Sequence, residues 1–227
     1  MFETLLQLDS DILLAVNGQH CEFFDYFMRA CSQKFIWIPF YAAIFILLCY
    51  RYSLKFTILA LLFITLTITL SDQISAAVLR PLIGRLRPAN LDNPLSQWVH
   101  IVGSYRSGRY GFPSSHAANS SALTFFCIFT FRQRLLSWLM TCWMLLVCYS
   151  RMYLGVHYLG DLLAGFLLGF VIAVLVYQAF MAMTQRLDIS TEPREREHHN
   201  LVNLLPPTTC LLVILWIAVA AAIQTWT

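Results

Sequence analysis

The chain has 227 residues, of which 59% are hydrophobic and 12% are charged, with a formal net charge of +3. A soluble domain carries about 25% charged residues, so this composition indicates an integral membrane protein and argues against a water-soluble one. The small net charge argues against nucleic acid as a partner. The seven cysteines include no CxxC pair, and we predict neither a disulfide framework nor a zinc site.

The N-terminal segment, residues 1–34, is predicted to form helices that lie in the membrane interface. Neither of its apolar stretches is apolar all round for the roughly 20 residues that a span needs, and Asn17-Gly18 is the expected turn between them. A weak first span is the alternative. Acidic residues surround the short apolar run where a cleavable leader would carry basic ones, so we predict no signal peptide.

Six apolar runs predict the membrane spans, at residues 35–50, 54–79, 115–131, 135–149, 159–183 and 207–223. The fold class is therefore all-α, a polytopic membrane helix bundle of about six transmembrane helices with N-terminal interfacial helices. We divide the chain into the interfacial helices (1–34), a transmembrane core (35–184), and a charged loop with a last transmembrane helix (185–227). The charged part of that loop, 185–200, is predicted to be a solvated connector with surface histidines at 198 and 199.

Two features within the predicted spans indicate specific packing. Asp72 is costly at that depth unless it is paired, so it either faces an arginine or is a hydrogen-bonded structural residue near a helix end. Gly165 and Gly169 form a GxxxG motif, which is typical of helices that pack closely in lipid.

Three polar clusters, at residues 80–88, 113–116 and 150–161, are predicted to meet at one membrane surface. The chain changes sides at each span, so the end of the second, the start of the third and the junction of the fourth and fifth lie on the same face. The opposite face carries the short basic loops at 51–55 and 132–134. Short basic loops favour the cytoplasmic side, which predicts that the clusters face away from the cytoplasm.

The side chains of these clusters suit phosphate. Arg80, Arg87 and Arg151 would gather there, and the planar fork of arginine matches the oxygens of a phosphate group. Ser114 and Ser115 open a helix, and the N–H groups at a helix N-terminus favour an anion.

Two histidines with different neighbours predict proton transfer and nucleophilic attack. His157 and Asp161 are four residues apart, on one face if the segment is helical. A carboxylate fixes the imidazole tautomer and stabilises its cation. His116 would be free to protonate a leaving oxygen. The predicted mechanism is attack by His157 on phosphorus, followed by hydrolysis of the phosphohistidine.

These residues resemble the three signature motifs of the type 2 phosphatidic acid phosphatase (PAP2) superfamily. The first motif corresponds to Arg80 and Arg87-Pro88, with arginine where lysine is usual. The second, Pro-Ser-Gly-His, corresponds to residues 113–116, with Ser115 where glycine is usual. The third is matched fully, by Ser150-Arg151, His157 and Asp161.

The resemblance implies an integral-membrane lipid phosphatase that needs no metal or other cofactor, with residues 35–184 as its catalytic core. It implies that His157 is the nucleophile, His116 the general acid and Asp161 the partner of His157. The phosphate-binding residues that it implies are Arg80, Arg87, Ser114, Ser115 and Arg151.

The lipid class is expected to be a bacterial envelope lipid. Lipid A phosphate and undecaprenyl pyrophosphate are equally favoured, and phosphatidylglycerol phosphate and phosphatidic acid are further members of the set that the resemblance implies. We expect the protein in the bacterial inner membrane with its site toward the periplasm. Four aromatic residues of the 89–112 loop are predicted to anchor it at the interface, with stacking on a sugar as the alternative: Trp98, His100, Tyr105 and Tyr110.

Four other functions could draw on some of these residues. A metal enzyme could use His116, His157 and Asp161, but the arginines would repel a cation. A serine hydrolase could use Ser114 or Ser115, but no GxSxG pattern is present. A non-enzymatic lipid-phosphate binder or transporter fits the arginines but has no need of the histidines. A vanadate-dependent peroxidase shares the motifs but has a soluble architecture.

Overall fold

The structure is a computed structural model and describes residues 2–194 and 199–226. Within these ranges the regular secondary structure is helical, apart from one antiparallel bridge between Leu86 and Tyr110. The predicted all-α fold is confirmed; His198 lies outside the described residues. The helices are α1 (Phe2–Asn17), α2 (Glu22–Cys31), α3 (Ile38–Arg51), α4 (Leu54–Gln73), α5 (Arg80–Ile83), α6 (Ser115–Phe131), α7 (Arg134–Tyr153), α8 (Leu159–Arg186), α9 (His199–Asn203) and α10 (Leu205–Trp226).

Five helical stretches of the described chain are long and apolar enough to cross a membrane. They are Lys34–Arg51, Leu54–Ile83, Arg134–Tyr153, Leu159–Arg186 and Leu201–Trp226. Helix α6, the predicted third span, has 17 residues and is about 26 Å long. It packs against α4, α7 and α8. The membrane helix bundle is confirmed, and the count of six spans stays a prediction.

The second span is longer than the sequence predicted. Helix α4 continues through a π-helical segment, Ile74–Leu79, into α5, so the predicted end of the second span at residue 79 is four residues short. Pro81 directly follows the π-helical segment, in which the backbone N–H of Arg80 donates to the carbonyl of Ser75 five residues earlier, so the helix is already irregular where the proline enters it. Gly84 ends the helix with a φ of +66°. Arg80 is therefore held on a helix.

Helices α6 and α8 pack closely against each other at the centre of the bundle. A Cβ atom at Gly165 would collide with the backbone oxygen of Ser114, and one at Gly169 with that of Ala118. The predicted close packing at the GxxxG motif is confirmed. The backbone N–H of Ser114 also donates to the carbonyl of Asp161 at 2.9 Å, which fixes the start of α6 against the first turn of α8.

The N-terminal helices α1 and α2 pack onto the end of the bundle at which α6 and α8 begin. Helix α1 contacts α7 and α8, and α2 contacts α7 and α10. Asn17, at the predicted turn, is 1% exposed. Its side-chain amide donates to the carbonyl of Tyr153 at 2.7 Å and accepts from the backbone N–H of His100 at 2.7 Å. The interfacial position of α1 and α2 stays a prediction.

Asp72 has a structural contact within the bundle. Its Oδ1 atom accepts a hydrogen bond from the side chain of Asn119 at 3.1 Å, linking α4 to α6. The charge of Asp72 also acts on that of Arg80, so its surroundings support both expectations for this residue.

Candidate active site

His157 and Asp161 lie at the junction of α7 and α8, at the centre of the three polar clusters. His157 is in the loop before α8, so the two residues do not share a helix face as the spacing suggested. They meet because Asp161 folds back over the helix start: its Oδ2 atom accepts from the backbone N–H of Tyr158 at 3.1 Å and lies 3.3 Å from Nδ1 of His157. Both side chains are buried, with His157 1% and Asp161 0% exposed.

Arg87 contacts the other side of the His157 ring. Its Nη1 atom lies 2.7 Å from Nε2 of His157 and donates to the carbonyl of Val156 at 3.0 Å. The loop that carries Arg87 is fixed by backbone hydrogen bonds from Arg87 to Arg109 and from Gly111 to Arg85. The imidazole is thus held between a cation and a carboxylate.

Arg80 and Ser115 contact each other beside this pair. The Nη2 atom of Arg80 donates to Oγ of Ser115 at 2.6 Å and to the carbonyl of Pro113 at 3.3 Å. Ser75, in the π-helical segment, donates to the same Oγ at 2.9 Å. The two positions that depart from the PAP2 motifs are therefore direct partners.

The start of α6 brings Ser114 and His116 to the same place. Ser114 is the N-cap of α6, and its Oγ accepts from the N–H of Ala117 at 3.5 Å. His116, in the first turn, hydrogen bonds to the backbone of Ser32. Arg151, 2% exposed, donates to the hydroxyl of Ser32, and its guanidinium carbon lies 6.0 Å from the centre of the Tyr105 ring.

The electrostatics of the site are strongly positive. Burial, together with the charges of Arg87, Arg151, His116 and Arg80, lowers the pKa of His157 well below its ordinary value. Burial and the charges of Arg80 and Arg151 lower the pKa of Arg87 to about 10, so it stays protonated at neutral pH. The residues of all three predicted clusters therefore act on one imidazole, and an anion bound there would relieve their mutual repulsion.

Three arginine nitrogens of the site have unused hydrogen-bonding capacity. The Nε atoms of Arg80, Arg87 and Arg151 are buried and have no hydrogen-bond partner among the residues that the structure describes. A buried donor without a partner is costly, and buried polar groups are normally paired. Phosphate oxygens would supply acceptors for these donors.

A cavity leads from the site into the apolar part of the bundle. Its volume is about 550 Å³. Ser115, His116, Asn119, Asp72 and residues 32–34 supply its polar lining, and mainly apolar residues of α3, α4, α6 and α7 line the rest, including Ile44, Phe45, Leu61, Ile64, Leu123 and Trp143.

Three further residues at the site were missed from the sequence. Arg85 donates to Oδ1 of Asp161 at 3.0 Å. Gly111 packs so tightly that a Cβ atom there would lie 2.9 Å from Oδ2 of Asp161 and 3.5 Å from Nδ1 of His157. Asp9, on α1, contacts Arg85. Arg85 was visible only as one more basic residue of the 80–88 cluster, and Asp9 only as an N-terminal acid.

This combination defines a class of protein. A membrane-embedded helix bundle that holds a buried histidine–carboxylate pair against three arginines and a helix N-terminus has the groups that phosphoryl transfer through a histidine requires. Comparisons with known proteins then identify the family.

The sequence model of the PAP2 superfamily matches residues 59–185. The chain is 44% identical over 191 residues to a lipid A 4'-phosphatase of Bacteroides thetaiotaomicron, covering 84% of this chain and 85% of that protein. It is 29% identical over 184 residues to a lipid A 4'-phosphatase of Porphyromonas gingivalis, covering 81% and 78%. A crystal structure of a transmembrane PAP2-type phosphatidylglycerolphosphate phosphatase from Bacillus subtilis has a similar fold, with a TM-score of 0.58 and 23% identity over 81% of this chain and 89% of that one.

The chain belongs to the PAP2 superfamily and is a membrane lipid phosphatase of that type. The family and the enzyme class predicted from the motifs are confirmed, as is an integral membrane protein. The individual roles of the site residues and the three-part division of the chain stay predictions.

Proposed function

We propose that this protein removes a phosphate group from lipid A through a covalent phosphohistidine on His157. The observation that carries the chemistry is the gathering of three arginines, each with a buried Nε that lacks a partner in the described chain, around one buried histidine–aspartate pair, whose histidine Arg87 contacts directly. A phosphate placed among these arginines lies beside the imidazole.

The hydrogen bonds of His157 support its proposed role, and the other roles are those that the family resemblance implies. A guanidinium group has only donors, so Nε2 of His157 accepts from Arg87 and its Nδ1 carries the proton, which faces Asp161. Nε2 is then the nucleophile once Arg87 donates to a phosphate oxygen instead. His116 protonates the leaving oxygen, and water cleaves the phosphorus–nitrogen bond. Phosphate is bound by Arg80, Arg87, Ser114, Ser115 and Arg151.

The cavity supports a lipid as the substrate. Its polar part includes Ser115 and His116, and most of its other lining residues are apolar. A volume of about 550 Å³ is within the range of ligand-binding cavities. The tail of a lipid in this cavity would leave its phosphate beside His116 and Ser115, the residue to which Arg80 donates.

Lipid A is favoured within the lipid class by the relatives. Both relatives described above are lipid A 4'-phosphatases, and the first of them matches 84% of this chain at 44% identity. We therefore propose a phosphate ester of lipid A, the 4'-phosphate, as the group removed, in preference to the pyrophosphate of undecaprenyl pyrophosphate.

We propose the bacterial inner membrane as the location, with the site toward the periplasm. The α6–α7 turn at the opposite end carries Arg132 and Arg134, both exposed, which is the pattern of a cytoplasmic loop. Reporter fusions would test this: alkaline phosphatase should be active when fused at Gly108 and inactive when fused at Gln133, and the reverse result would invert the orientation.

The reaction is proposed to need no metal ion. Four arginines, Arg80, Arg85, Arg87 and Arg151, surround the two histidines and Asp161, and their charges would oppose a cation. Full phosphate release in excess chelator is expected, and loss of activity that Mg²⁺ or Zn²⁺ restores would contradict this part of the proposal.

The function is tested by phosphate release from defined lipids. The purified full-length protein in detergent is incubated with lipid A, undecaprenyl pyrophosphate, phosphatidylglycerol phosphate and phosphatidic acid, with His157→Ala as the control. We expect release from lipid A that the substitution abolishes. Phosphate release from another lipid and not from lipid A would identify that other lipid as the substrate. Binding of a lipid by the folded protein without phosphate release would support a binder or transporter.

A further inference from the structure

Asp9 places a carboxylate at the active site, although it lies outside residues 59–185, which match the PAP2 sequence model. Asp9 lies on α1, and its side chain is 14% exposed. Its Oδ2 atom accepts from Nη2 of Arg85 at 2.7 Å, and its Oδ1 atom accepts from the backbone N–H of Gly160 at 2.9 Å. The helix thus contacts both the 80–88 cluster and the start of α8.

Arg85 joins this carboxylate to the one at the reacting centre. While Nη2 donates to Asp9, Nη1 donates to Oδ1 of Asp161 at 3.0 Å. The guanidinium lies on the ring of Tyr158, 4.0 Å from its centre. The rigid fork of arginine makes the two contacts interdependent, so the position of Asp9 determines how Arg85 meets Asp161.

Asp161 divides its two oxygens between different partners. Oδ1 faces Arg85, whereas Oδ2 faces His157 and the N–H of Tyr158. A cation on Oδ1 draws negative charge away from the oxygen that orients the imidazole. A second carboxylate on that cation offsets this effect, because it shares the positive charge of Arg85.

We propose that Asp9 is a positioning residue for the phosphatase reaction, acting through Arg85 on Asp161 and so on His157. The proposal rests on the roles proposed above for His157 and Asp161. Asp9 keeps Arg85 aimed at Oδ1 and away from the substrate phosphate, and it preserves the basicity of the carboxylate that His157 needs as it becomes positively charged. Helix α1 is thereby a functional part of the enzyme.

The helix has other attachments, so the charge of Asp9 can be removed alone. Leu13 is 0% exposed and belongs to a buried cluster with Tyr158 and Leu162. Asn17 binds backbone groups of Tyr153 and His100. Asp9→Asn keeps the size of the side chain and leaves both attachments in place.

The test is a double-substitution cycle on the full-length enzyme in detergent. The variants are Asp9→Asn, Arg85→Gln, both together, Asp9→Glu, and Asp11→Asn as the matched control. Asp11 is an exposed acid of the same helix that accepts from Gln7. The readouts are kcat and KM with lipid A and with undecaprenyl pyrophosphate, the amount of phosphoenzyme formed in one turnover, and the thermal unfolding midpoint.

We expect Asp9→Asn to lower kcat about tenfold with KM within about twofold, since outer partners of catalytic groups have effects of this order. Asp9→Glu should recover part of the loss, and Asp11→Asn should match the wild type. The double variant should be no slower than Arg85→Gln alone, because Asp9 acts through Arg85.

Two results would overturn the proposal. Wild-type kcat in Asp9→Asn would do so, as would a double variant whose loss is the product of the single losses. A kcat loss matched by a lower unfolding midpoint, without the coupling to Arg85, would reduce Asp9 to a structural role. The His157→Ala variant distinguishes a failure of this inference from a failure of the proposed mechanism. If His157→Ala stays active, the proposed mechanism fails as well. An inactive His157→Ala together with a fully active Asp9→Asn refutes only the role of Asp9.

Discussion

The Nε2 atom of His157 accepts a hydrogen bond from Nη1 of Arg87 at 2.7 Å. This contact assigns the imidazole tautomer, because guanidinium donates only, and it leaves the Nδ1 proton for Asp161, 3.3 Å away. The nucleophile is therefore neutral and correctly oriented, and Arg87 must transfer from the imidazole to a phosphate oxygen when the substrate enters.

The first prediction concerns the protonation of His157. Its pKa is lowered by burial and then by Arg87, so the imidazole should stay neutral as the pH falls through 6.5, the ordinary value for histidine. NMR of the protein with labelled histidine, in which the His157 signal is the one missing from His157→Ala, measures this directly. A His157 signal that titrates near pH 6.5 or above would contradict the hydrogen-bonding assignment.

The second prediction concerns Gly111. A methyl group at this position would lie 2.9 Å from Oδ2 of Asp161 and 3.1 Å from Cγ of Arg87, so the groups on either side of His157 have to move apart. Displacements of about 1 Å can cost about a hundredfold in rate, and we expect Gly111→Ala to lower kcat by ten- to a hundredfold. Gly108→Ala is the control, since no atom lies within 4 Å of its added Cβ. Equal kcat values for the two variants would show that the close packing has no catalytic role.

The positions of the motif residues could be predicted from the sequence for a physical reason. Alternating membrane crossings require residues at the end of the second span, the start of the third span and the fourth–fifth junction to share a face, whatever the details of packing. The charged groups that lower the pKa of His157 come from all three clusters, as expected if the clusters share one face.

The contacts of Asp9 and Arg85 could not be predicted in the same way. They depend on how α1 docks against α8, and neither the hydropathy of residues 1–34 nor the spacing of charges specifies that docking. The helical extension to Ile83 was also missed, because proline normally breaks a helix and the sequence does not show the π-helical segment that precedes Pro81.

The third prediction concerns Arg80 and Ser115, the two departures from the family motifs. They hydrogen bond at 2.6 Å, so they should act as a pair. Arg80→Lys and Ser115→Gly are each expected to lower kcat/KM about tenfold, since lysine lacks the fork of arginine and glycine lacks the hydroxyl that orients Arg80.

The double variant, which has the usual lysine and glycine of the family, should be at least threefold more active than the product of the single effects predicts. Steady-state kinetics on lipid A measures all four proteins. Strictly multiplicative losses would show that the two departures are independent.

The fourth prediction concerns the attachment of α1. Asn17→Ala removes the partner of three backbone groups, the carbonyls of Tyr153 and His100 and the N–H of His100. Each group left without a partner costs about 1–3 kcal/mol, and a total loss of about 3 kcal/mol corresponds to a decrease of about 6–12 °C in the unfolding midpoint. Thermal unfolding in detergent checks this. Gln19→Ala, at an exposed site two residues on, should leave the midpoint unchanged; an equal decrease in both variants would refute the assignment.

The fifth and most direct measurement is to trap the covalent intermediate. Lipid A labelled with radioactive phosphate is mixed with the full-length enzyme, the reaction is quenched with alkali within one turnover, and the modified residue is identified by mass spectrometry. The account predicts an alkali-stable, acid-labile phosphate on His157, absent from His157→Ala and weaker in Asp161→Asn. Phosphate on Ser114 or Ser115, or full turnover by His157→Ala, would contradict it.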